Sequence, residues 1–278
     1  MKTNTYVIAP TGWKIDDPNP FSTDGLYANN WSCFSTRGTF TYRFFTGRSK
    51  SGCWHIQFKI RNEEYKDHLA DFIRYENKNR RTVIVDTQFG DDFIQIIQKQ
   101  MDLTPTPGFQ RETDPEYILH STTNETWKCI KESGVMIAAA YLKERWNFTD
   151  TDNPTDQYVK NEPPEYKEYI MFGGVGSGNT EMIVASYQKK RFINNENIEY
   201  VPGARIYLKN WEIIRNHLDT RDGIHLMKVH RELPIDKYIA AVVTRDDLTL
   251  KEEEEYWTPK LFADKSNMEF RRIVKENT

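Results

Sequence analysis

The chain has 278 residues, enough for one large domain or two modest ones with a buried core, and its 38% hydrophobic and 28% charged content is that of a globular protein. Its net charge of −3 supplies no global basic field, so any nucleic-acid site has to be local. No apolar run approaches the ~20 residues that span a bilayer, MKTNTYVIAPTGW lacks the apolar core of a signal peptide, and Cys33, Cys53 and Cys129 are too scattered for a disulfide framework or zinc site. The expectation is a cytoplasmic, intracellular protein with reduced thiols, no membrane association and no metal.

Taken in chain order, Thr39–Phe45 (TFTYRFF) and Trp54–Ile60 (WHIQFKI), joined by GRSKSG, alternate like the two arms of a hairpin. Their aromatics build a sheet and its core in preference to stacking single-stranded bases. Leu69, Phe72 and Ile73 are at helical spacing within 62–76, Thr82–Asp86 reads as a strand, and a second helix is expected around Phe93–Met101. The stretch 102–116, DLTPTPGFQRETDPE, has three prolines and a glycine and reads as a linker. Residues 1–111 are therefore expected to form a mixed α/β module, 112–250 a second domain, and 251–278 a charged helix or tail.

The second part opens with a strand at Tyr117–Leu119 and a helix at about 125–133, with Thr122 or Thr123 as N-cap and Gly134 as C-cap. Strand-like segments follow at Tyr169–Phe172, Glu181–Gln188, Ala204–Leu208, Gly223–His230 and Tyr238–Thr244. GGVGSG at 173–178 reads as a turn between strands, because it lacks the Lys-Ser/Thr of a P-loop and the downstream acid of a dinucleotide fingerprint. His225 and His230, five apart on one expected strand, face opposite sides and make a poor metal pair. The run Lys251–Glu255 is expected to be a solvated helix face. The class is α+β.

EYILHSTTNETWKCIKESGV (116–135) ends a strand on His120, continues with small hydroxyl residues and opens a helix that closes on Gly134. This segment resembles the strand–His-Gly-Thr–helix opening of ADP-ribosyltransferase folds, most of all the tRNA 2′-phosphotransferase family. The likeness extends to 175–210, where Tyr200, Ile206, Tyr207 and Leu208 fall on the family's aromatic and Gly-Val-Trp-Leu strand, and to 222–243; it is fainter at Leu69–Tyr75 and Lys78–Arg81. Departures are Ser121 for the family's glycine, the loss of its second histidine within Tyr169–Phe172, and missing arginines at Val175–Asn179 and at Val201. These losses bear on activity more than on fold.

The resemblance implies a split β-sheet domain of ADP-ribosyltransferase type that uses NAD as substrate, with an RNA 2′-phosphate or another phosphorylated acceptor as partner. His120 and Arg74 are the implied catalytic residues. Ser121, Thr122, Thr123, Tyr187, Tyr200, Ile206 and Tyr207 would line the NAD site with His120, the three tyrosines offering faces to the nicotinamide ring. Arg80 and Arg81 would hold the acceptor phosphate, guanidinium forks being suited to it, with Arg145 and Arg205 in reserve. The alternatives are a protein mono-ADP-ribosyltransferase effector and an inactive module of the same fold that binds NAD or nucleic acid. The sequence leaves the oligomeric state open.

Overall fold

A computed structural model describes residues 5–38, 44–59, 65–89, 91–102, 108, 110–148, 162–176 and 178–276. The chain is mixed α and β and divides into two compact units. The first comprises Met1–Pro105 with Asn161–Pro163 and Arg221–His225; the second comprises Thr106–Lys160, Pro164–Thr220 and Leu226–Thr278.

In the first unit, β1 (Tyr6–Ile8), β2 (Trp31–Ser35), β3 (Phe44–Arg48), β4 (Trp54–Phe58) and β5 (Thr82–Asp86) form one sheet in the order β1-β5-β2-β4-β3. All neighbours are parallel except β3, which pairs antiparallel with β4. A parallel pair needs a long crossover, and α1 (Tyr65–Lys78) supplies one between β4 and β5. Both faces of such a sheet are covered, which is why β5 carries the continuous apolar run Val83-Ile84-Val85. One face bears Phe34, Phe58 and Val85 and meets Phe72 of α1, with Phe34 to Phe72 ring centroids 5.9 Å apart. The opposite face packs Cys33, Cys53 and Ile84 against Trp13 and Tyr27 from the long segment between β1 and β2. A second helix, α2 (Asp91–Asp102), lies along α1. Trp54 and Phe58 lie in this core, and residues 39–43 and 60 of the expected hairpin lie outside the described residues.

In the second unit, β6 (Tyr117–Thr122), β8 (Tyr169–Gly174), β9 (Ala204–Lys209), β10 (Asp219–Thr220), β11 (Met227–His230) and β13 (Ile239–Thr244) make an antiparallel sheet in the order β10-β11-β8-β6-β9-β13. Strands β7 (Val135–Ile137) and β12 (Glu232–Pro234) form a separate pair. Alternation along each strand gives the sheet two apolar faces. Ile118, Phe172, Ile206 and Leu208 pack on one side with Ile130 of α3 (Asn124–Ser133). Leu119, Tyr207 and Val243 pack on the other against Phe270 of α7 (Pro259–Glu276). Short helices α4 (Leu142–Trp146) and α6 (Asn210–Arg215) and the longer α5 (Asn179–Lys189) complete the unit. The α3 caps fall where the sequence placed them: the Thr123 side chain accepts from Thr126 N at 3.2 Å, and Gly134, at φ 68°, donates its N–H to Ile130 O.

Four local expectations are corrected. Glu181–Gln188 is helical, not a strand: its buried positions Glu181, Val184 and Ala185 follow a spacing of three to four, which the continuous run Met182–Ala185 conceals. The Gly-rich segment 173–178 accordingly joins a strand to a helix. Lys251–Glu255 forms turns ahead of α7, and only His230, not His225, lies on a strand. Among the described residues no helix is long and apolar enough to cross a membrane.

Candidate functional site

Strand β6 is central in its sheet, with β8 on one side and β9 on the other. His120 stands opposite Ile206 in the β6–β9 register and meets the Phe172 ring edge-on, centroids 6.0 Å apart. The imidazole is partly buried, and its Nδ1 lies 3.2 Å from the Met171 carbonyl oxygen. A carbonyl only accepts, so Nδ1 carries the proton and Nε2 keeps its lone pair. Among the described residues Nε2 has no hydrogen-bond partner. Burial holds the His120 pKa below that of a free imidazole, which keeps the ring neutral at neutral pH.

The period of two along β6 divides the expected site between the two faces of the sheet. Thr122 and Ile206 share the face of His120, whereas Ser121, Arg205 and Tyr207 belong to the other. Thr122 is buried, Ile206 is enclosed among Ile118, Phe172 and Leu208, and the Thr123 hydroxyl is committed to the α3 cap.

Behind that face lies a buried polar network. Ser121 donates to the Glu181 carboxylate, with the Thr180 hydroxyl 2.9 Å away. Glu181 Oε1 accepts from Arg205 Nη1 at 3.0 Å, and Oε2 accepts from the Tyr200 hydroxyl at 2.8 Å. Arg205 Nε donates to the Tyr207 hydroxyl at 3.2 Å, and both residues donate to Asn267 Oδ1. Arg205 and Glu181 are 0% and 1% exposed, so this is a fully desolvated ion pair. The Tyr207 ring lies flat on Phe270, centroids 4.1 Å apart at 4°. Burial, and for Tyr200 also the Glu181 charge, raises both phenol pKa values, so both remain protonated donors. Tyr200 and Tyr207 therefore present no open ring face to a ligand. Tyr187, on α5, is partly buried.

Sequence reasoning missed Glu181 and Asn267. A carboxylate at the head of the apolar run EMIVA was the one available signal, and it was absorbed into the expected strand; Asn267 carries no local signal.

The expected cations Arg74, Arg80 and Arg81 belong to the first unit. Arg74 Nη2 donates to Gln100 O at 3.0 Å, and Arg81 is clamped by buried Glu76 at 2.5 and 3.1 Å. Arg80 is exposed, at φ 64°. In the second unit Arg145 pairs with Glu232 at 2.5 Å on the surface. In the first unit His225 donates its Nδ1–H to Asp222 Oδ2 at 2.8 Å. No group of three or more His, Cys, Asp or Glu side chains able to hold a metal occurs among the described residues.

No known protein family, no curated protein and no solved structure matches the chain.

Proposed function

We propose that the second unit has an ADP-ribosyltransferase-like fold and uses NAD to modify a phosphate on nucleic acid, in the manner of an RNA 2′-phosphotransferase. The sequence likeness at 116–135, 175–210 and 222–243 supports this reading, and the observation that carries it is His120: a neutral imidazole fixed through Nδ1, with Nε2 unpartnered on a central strand. Such a ring accepts a hydrogen bond from a ribose hydroxyl and holds the sugar while charge develops on it. An oxygen of the acceptor phosphate would bond to the nicotinamide-ribose carbon as the carbon–nitrogen bond breaks and nicotinamide leaves with the electron pair. The adjacent ribose hydroxyl would then attack the same phosphorus, lose its proton, and release the RNA 2′-hydroxyl and a cyclic ADP-ribose phosphate.

A second reading, a module that binds without turnover, is favoured by the commitment of Arg205 and Arg81 to buried carboxylates. Incubation with labelled NAD and a 2′-phosphorylated RNA separates the two. Nicotinamide release, abolished in His120→Ala, supports turnover. Calorimetric NAD binding without release selects the binding module, and no NAD binding at all sinks both.

A further inference from the structure

The carboxyl end of the first unit's parallel sheet carries an arrangement that this reading does not use. Asp86, the last residue of β5, is 4% exposed and accepts from Ser35 Oγ at 2.7 Å, Ser35 being its register partner on β2. Its other oxygen accepts from Arg37 Nε at 2.8 Å, while Arg37 Nη2 donates to Thr87 O at 2.8 Å. The guanidinium is thus fixed on one edge. Its Nη1, together with the second N–H of Nη2, has no partner among the described residues, and the side chain is 48% exposed.

Directly opposite Arg37, across an isolated bridge, stands Lys59, half-buried and without an ion-pair partner among the described residues. Like charges facing each other across a strand pair are destabilising. Asp86 neutralises one of the two, and a surplus positive charge remains between them. Open parallel sheets take their ligands outside the carboxyl ends of the strands, and a preorganised guanidinium fork beside an ammonium suits the oxygens of a phosphate monoester.

We propose that Arg37 and Lys59 form a binding site for a phosphate group, with Asp86 and Ser35 as positioning residues. The group is either free phosphate or the phosphate of a nucleotide. The site needs neither NAD nor His120, so it stands or falls apart from the function proposed above.

Calorimetry on the full chain without NAD, titrated in parallel with inorganic phosphate and adenosine 5′-monophosphate, tests it. Arg37→Gln is expected to weaken binding about tenfold or more, the loss typical of a charged hydrogen bond, and Lys59→Met about threefold. Exposed Lys14→Met is expected to bind like the parent. Tighter binding of the nucleotide than of phosphate identifies the nucleotide as the source; equal binding identifies the phosphate group alone. Circular dichroism confirms that each variant is folded, and Lys59→Met serves alone if Arg37→Gln is not. A parent that binds neither probe at millimolar concentration, or folded variants that bind as the parent does, overturns the proposal.

Discussion

Gly203 governs the backbone next to His120. A Cβ at this position would lie 1.9 Å from the Thr122 carbonyl oxygen and 2.8 Å from two Thr123 backbone atoms, none of which can swing aside like a side-chain end. Gly203→Ala is expected to destabilise by about 3 kcal/mol, whereas Gly176→Ala, with nothing within 4 Å, changes stability by less than about 0.5 kcal/mol; urea unfolding measures both. His120 adds a pH dependence. Its folded pKa, like that of buried His55, is lowered by desolvation, so below about pH 6.5 the unfolded chain takes up protons that the folded chain does not. Stability is therefore complete above about pH 7 and falls as the pH drops below 6.5, and His120→Gln flattens that fall in urea titrations at acidic pH. At this scale Thr123 and Gly134 were legible because each acts within its own helix cap. The grouping of Ser121 with His120 was not, because a strand turns adjacent side chains to opposite faces.

Helix α5 is tied to β9 and α7 by the Glu181–Arg205 pair and Asn267. Glu181→Gln leaves a buried guanidinium uncompensated and is expected to cost about 3–5 kcal/mol, while the paired change Glu181→Leu with Arg205→Met recovers most of that loss. A double-mutant cycle in urea checks it; additive single effects would show that the pair is not coupled. The same contact explains where element reading failed. The run Met182–Ala185 is as apolar as a buried strand, and only its long-range partner Arg205, together with Glu181 and Ser186 in the protein interior, reveals the helical period. Strands β5, β8, β9 and β13 and helices α1 and α3 were readable because composition and periodicity agree locally. The pairing of β2 with β5 and of β6 with β9 was not, since register across 51 to 92 residues leaves no mark in either segment.

At the scale of the molecule, the chain contributes to the first unit more than once: Arg221–His225 belongs with it although its flanks belong to the second. Gly223, at φ 74°, admits this segment against α1. A Cβ there would lie 2.1 Å from His68 O, and His68 Nδ1 is 2.8 Å from Gly223 O. Gly223→Ala is expected to lower hydrogen-exchange protection of α1 amides while those of β6 and β9 keep theirs; equal loss in both units would contradict the assignment. A linear reading assigns contiguous blocks, so this return of the chain had no sequence signal. The seating of Phe270 on Tyr207, and of Asn267 on Arg205, also dictates an order of events. Helix α7 follows β9 in the chain, so during synthesis Arg205 and Tyr207 wait with their α7 contacts unmade until this helix docks.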